Sequence, residues 1–199
     1  MGLRPIMAAV PSNYREVLYW RLTGNLGRQV ALNLLALPLA GGAGLFFAWA
    51  AANLGRASHV AVGQGELVAL LVGLVLMIVA HELVHGLAMR LYGARPQYGV
   101  MWKSLMFYAT APGQAFTRNQ YLVVGLAPLV SLSALALMGM AAFAGTPVVA
   151  LLGICATLNA AGAVGDLWIV ATVLRYPAHV WVVDERDGVR IFMPAPAQT

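Results

Sequence analysis

The 199 residues are 61% hydrophobic and 10% charged, with a mean hydropathy of +0.78, which is too apolar for an ordinary soluble domain of this length. The formal charge of +5 and the pI near 9.8 come from basic residues scattered around apolar stretches, without the dense patch or stripe that grips nucleic acid. The single cysteine, Cys155, excludes an internal disulfide. These features predict an all-α polytopic membrane protein forming a single membrane-embedded domain over 1–199.

Residues 1–11 carry no cleavable signal pattern and lack the Ser or Thr expected for myristoylation, so the first span is expected to remain as an uncleaved anchor. Residues 12–28 mix Tyr14, Val17, Leu18 and Trp20 with Arg15, Glu16 and Arg21. That mixture suits a short helix lying at the interface, or a poorly ordered lead-in. Four later stretches are long enough to cross about 30 Å of hydrocarbon as helices: roughly 29–53, 64–91, 119–144 and 147–173.

Span one holds Pro38, Gly41, Gly42 and Gly44 but no ionisable residue, and is expected to pack and anchor. Span two opens near Glu66, whose acid complements the positive end of a helix dipole, and closes at Tyr92 and Gly93. Two β-prone runs around Lys103 and Ser104 then predict a hairpin over about 96–110, at the cytoplasmic interface. Its Tyr98, Trp102 and Phe107 serve either as interfacial anchors or as substrate contacts. Span three includes Pro128, Ser131 and Ser133, the serines bonding back to their own helix. Span four is dense in small residues, among them Gly153, Ala156, Ala160 and Gly165, and suits close helix approach. Cys155 is read as packing. A second hairpin with an Asp-Gly turn is predicted over about 179–193, and His59 and His179, outside the spans, read as surface histidines.

Basic residues set the topology. Arg4, Arg15, Arg21 and Arg28 precede span one; Arg90, Arg95, Lys103 and Arg118 lie between spans two and three; Arg175, Arg186 and Arg190 follow span four. Only Arg56 falls on the other side. By the positive-inside rule both termini and the loop 92–118 are expected to be cytoplasmic.

Within span two, His81-Glu82-Leu83-Val84-His85 puts two imidazoles four residues apart on one helical face. This spacing lets both grip one zinc ion while the adjacent glutamate serves as general base. An ionised carboxylate at the centre of a membrane helix costs roughly 2.5–3.5 kcal/mol, so its presence calls for compensation. Interhelical hydrogen bonding is the plain alternative. Asp166 in span four adds a second negative charge, and one zinc dication neutralises both. The topology places His85 and Asp166 at matching depth, each about 10 Å from the cytoplasmic end at 1.5 Å per residue.

His81, His85 and Asp166 as metal ligands leave a fourth zinc position for water, the arrangement of catalytic sites. The metal acidifies that water and Glu82 takes its proton, later protonating the departing amine. Asn159, on one stripe of span four with Gly162 and Asp166, is a candidate for holding substrate or the oxyanion, or else makes a structural bond between helices. An edge of the 96–110 hairpin would suit an extended substrate strand.

The motif, an interfacial hairpin, the Gly-Leu-Ala-Pro of span three, the Asn and Asp of span four and the terminal hairpin together resemble a small bacterial family of proposed zincin peptidases. That family has four spans and is similar to site-2 intramembrane metalloproteases in core arrangement. The resemblance covers roughly residues 15–193 and implies zinc bound by His81, His85 and Asp166, with Glu82 as catalytic base. It also implies a place in the bacterial inner membrane. Site-2 proteases carry Asn-x-x-Pro and Leu-Asp-Gly, whereas this chain has Asn159-Ala160-Ala161-Gly162 and Gly165-Asp166-Leu167.

The expected function is therefore an intramembrane zinc metalloprotease. Its expected partners are the lipid bilayer and a membrane protein or peptide substrate, and not nucleic acid. The alternatives are a membrane zinc hydrolase of a lipid-linked amide or ester, and a non-enzymatic metal-binding scaffold or transporter component.

Overall fold

The computed structural model describes residues 9–56, 63–102 and 106–196. His59, Arg4 and the Lys103-Ser104 pair lie outside these residues. In chain order the elements are β1 (Tyr14–Arg21), α1 (Leu26–Asn53), α2 (Gln64–Leu91), β2 (Gln97–Met101), β3 (Met106–Thr110), β4 (Ala115–Thr117), α3 (Arg118–Ala142), α4 (Val148–Gly162), α5 (Val164–Leu174), β5 (Trp181–Glu185) and β6 (Gly188–Pro194).

The helix ends follow from local sequence. Asn25 accepts a hydrogen bond from the Arg28 amide at the start of α1, and Glu66 reaches back to the Gly63 amide at the start of α2. Thr117 and Gln120 form a reciprocal capping box at the start of α3. Gly93, at φ +87°, closes α2: its own amide bonds to the Arg90 carbonyl and the Ala94 amide to that of Met89. This is a Schellman end, for which a left-handed residue without a Cβ is favoured.

Two compact units are distinguishable. The first comprises Met1–Val30, Glu82–Ala127 and Asp166–Thr199. It contains both sheets, an antiparallel four-stranded sheet of order β1-β6-β5-β4 and the two-stranded β2-β3. Phe116, Val182, Val189 and Ile191 are fully buried in it, and Tyr121 packs edge-on against Phe116. The second comprises Ala31–His81 and Pro128–Gly165. Its core joins Phe47 and Ala50 of α1 to Ala136 and Met140 of α3 and to Val149 and Ala156 of α4. Cys155 lies against Gly73 there, a packing contact.

The hairpin expected at 96–110 forms, pairing Gln97 with Thr110 and Val100 with Phe107. The terminal hairpin also forms, over β5 and β6, but as the middle of a larger sheet. Residues 14–21 are a strand, and the interfacial helix expected near them is corrected accordingly. A bulge between Glu16 and Leu18 breaks the alternation, so that only Leu18 to Arg21 show period two. The partner strand β6, pairing Trp20 with Val189, lies far along the chain, beyond the reach of a local pattern.

Span four is also not one straight helix. α4 and α5 are bent by 43° at Ala163, where φ is −70° and ψ is 3°, within a run of small residues that includes Gly162 and Gly165. The break takes Asp166 off a continuous stripe with Asn159 and Gly162 and puts it in the first turn of α5, where the positive end of the helix dipole favours a carboxylate.

Three helices, α1, α2 and α3, are each long and apolar enough to cross a membrane, and a fourth span is reached if α4 and α5 count as one. The protein is predominantly helical, and this composition is consistent with a membrane protein. Along α2, Leu67, Val68, Leu71, Val72, Val75 and Leu76 are all exposed on the isolated chain, the kind of surface that hydrocarbon covers.

Candidate metal centre

His81 and His85 stand one turn apart on α2, a register kept by the capped helix around them. One ring nitrogen of each and a carboxylate oxygen of Asp166 all lie within 4.8 Å of one another. His85 is buried and Glu82, the next residue after His81, is half-buried on the same helix. The sequence-derived candidates His81, His85 and Asp166 are thus brought together.

Each imidazole is held through Nδ1. His85 Nδ1 is 2.9 Å from the carbonyl oxygen of Val124, which only accepts, so Nδ1 carries a hydrogen and Nε2 is the nitrogen turned toward Asp166. His81 Nδ1 is 2.9 Å from Asn159 Oδ1. The orientation of that amide is fixed from its other end, because Nδ2 donates to the Pro128 carbonyl at 3.4 Å; a carbonyl demands the NH2 group there and leaves Oδ1 toward His81. His81 therefore also carries its hydrogen on Nδ1. Asn159 is buried, and the two partners named here are a histidine and a backbone carbonyl.

These residues fit a zinc ion. His85 Nε2 faces Asp166 Oδ2 at 3.3 Å, and a lone pair set against a carboxylate oxygen at that distance needs a proton or a cation between them. Tetrahedral zinc with bonds of about 2.0–2.1 Å spaces neighbouring ligand atoms by about 3.3 Å. Histidines that bind metal through one nitrogen commonly donate the other N–H to a carbonyl, which fixes tautomer and ring orientation. The charge set, two neutral imidazoles and a carboxylate with a second carboxylate nearby, suits a dication.

Sequence reasoning missed the two carbonyl acceptors. Val124 has no side-chain chemistry to mark it, and Pro128 stood out only as a residue of span three. It also missed a buried contact in the first unit, where Tyr121 donates to Asp184 Oδ1 at 2.7 Å and the Thr110 hydroxyl donates to the Asp184 carbonyl at 3.3 Å. Asp184 carried little signal of its own, since it follows the apolar Trp181-Val182-Val183 and opens a charged stretch that runs to Asp187.

No curated protein and no solved structure matches the chain. Residues 74–181 match the family described as "Putative zincin peptidase", a stretch that begins within α2, contains all five candidate residues and ends at the first residue of β5. Family membership points to a metallopeptidase and implies zinc. With more than half of its length matched, the chain belongs to this zincin peptidase family.

Proposed function

We propose that the protein is an intramembrane zinc metalloprotease that hydrolyses peptide bonds of membrane-protein substrates near the cytoplasmic side, with a core arrangement similar to site-2 proteases. The observation that carries this reading is the convergence of His81, His85 and Asp166 with both imidazoles held through Nδ1. α4 and α5 together form the fourth span, both termini are cytoplasmic by the distribution of arginines, and the membrane is the bacterial inner membrane.

His81, His85 and Asp166 hold the metal. When bound, zinc supplies a Lewis acid that polarises the scissile carbonyl and acidifies a water molecule. Glu82, adjacent to His81, accepts the proton of the attacking water and passes it to the departing amine. The apolar surroundings exclude bulk water, which strengthens each charge interaction at the site. An unwound, extended substrate segment pairs with an edge of the β2-β3 hairpin, which sets its register.

Glu82→Gln tests the reading. It should keep zinc in the purified protein and reduce cleavage by about 10²–10⁴-fold. Membrane-proteome fragments from cells carrying wild-type and Glu82→Gln protein should differ by a set of new peptide termini. Identical fragment sets would refute proteolysis, and loss of zinc from the wild type during gentle purification with equimolar metal would refute the centre itself. Cleavage confined to lipid-linked amides or esters would favour the other hydrolase reading.

A further inference from the structure

A helix proline ordinarily leaves one carbonyl without a partner, and in this protein that carbonyl is the one that holds a candidate ligand. Pro128 lies inside α3 and has no N–H, so the carbonyl four residues earlier, that of Val124, lacks its helical donor, and the proline ring pushes that carbonyl aside. Val124 and Pro128 are both buried, where water does not replace the missing donor and a neighbouring group must. His85 Nδ1–H does so at 2.9 Å. The Pro128 carbonyl in turn accepts Asn159 Nδ2 at 3.4 Å, and the amide so oriented presents Oδ1 to His81 Nδ1 at 2.9 Å.

We infer that Pro128 is a positioning residue for the metal centre: by its missing N–H and its own carbonyl it sets the tautomer and ring orientation of both His85 and, through Asn159, His81. It touches neither metal nor substrate. The inference rests on the reading of the two histidines as ligands, but it concerns a different contact and fails separately. It also gives Asn159 a role through His81, in place of direct contact with substrate.

The test is Pro128→Ala, which returns an N–H to position 128 and lets the Val124 carbonyl resume its helical bond in competition with His85. Alanine is the best helix former, so the metal-free variant should be no less stable to heat than wild type. Zinc affinity, measured by competition with a chromophoric chelator, should fall about 10–100-fold. Nitrogen NMR of the metal-free protein should show His85 losing its uniform Nδ1–H tautomer. A proline that served only to bend the helix would change neither reading.

Wild-type zinc affinity and an unchanged His85 tautomer in Pro128→Ala would overturn the inference. Should that variant not be recovered folded, Asn159→Leu removes the acceptor of His81; weaker zinc binding with loss of the His81 Nδ1–H tautomer supports the chain of contacts, and unchanged values overturn it. His81→Ala separates the two readings. If it binds zinc as wild type does, the proposed centre is wrong; if it loses zinc while Pro128→Ala does not, only the role of Pro128 is wrong.

Discussion

Tyr121 donates its hydroxyl hydrogen to Asp184 at 2.7 Å, tying the first turn of α3 to strand β5. Burial raises the Asp184 carboxyl from its ordinary 3.8 to about 7; the hydrogen bonds from Tyr121 and Thr110 oppose this, and the charge of Asp166 adds to it. A carboxyl with a folded-state pKa above its unfolded value binds its proton more tightly in the folded protein. Its contribution to stability is complete below about pH 4 and is lost as pH rises through about 7. Denaturation midpoints measured from pH 4 to pH 8 should contain this falling component in the wild type and lack it in Asp184→Asn. Parallel pH profiles for the two proteins would show that Asp184 does not titrate in this window.

Metal removal should be felt in stability. A chelator should lower the thermal midpoint of the wild-type protein, since a ligand at 100 to 1,000 times its dissociation constant stabilises the folded state by about 2.7 to 4.1 kcal/mol. His81→Ala and Asp166→Ala should already sit at the lower midpoint and respond little to chelator. Equal chelator shifts in all three proteins would place the metal elsewhere.

Gly86, next to His85, is the point where the β2-β3 hairpin rests on α2. A Cβ at this position would overlap the Tyr98 phenol, so Gly86→Ala should destabilise the protein by about 1–3 kcal/mol and weaken zinc binding by shifting the adjacent histidine. Removing the ring with Tyr98→Ala should relieve the overlap, so that the double variant is less unstable than the two single effects added. Strict additivity in urea denaturation would mean that the ring and the glycine do not meet.

A proline cannot supply the N–H that an added strand requires. Val100→Pro in β2 and Tyr108→Pro in β3 should therefore impair cleavage while zinc content stays at the wild-type level. Turnover equal to wild type in both variants would discard the hairpin as the strand that receives substrate.

Much of the protein is legible in its residues because the determinants are local. The lengths of α1, α2 and α3 follow from long, predominantly apolar runs, and their ends from Asn25, Glu66, Gly93 and the Thr117–Gln120 box. The pair His81 and His85 needs only the period of a helix to share a face. Asp166 stands out as an acid among apolar residues, and the direction in which each span crosses was enough to expect it near the same depth as His85. Both hairpins are marked by β-prone runs, the second around an Asp-Gly turn.

Other features depend on partners far away in the chain, and only the tertiary structure decided them. Strand β1 is a strand because β6, some 170 residues later, completes its hydrogen bonds; its own bulged pattern resembles a helix. The bend at Ala163 falls between Asn159 and Asp166, and it gives Asp166 a helix start in place of a helix middle. The orientation of His85 was settled by a backbone carbonyl of α3, and that of His81 by the Asn159 amide of α4, which a second α3 carbonyl turns. A backbone oxygen has no letter in the sequence, so the consequence of Pro128 for His85 appears only when the carbonyl it releases and the ring that meets it are brought within 2.9 Å by folding.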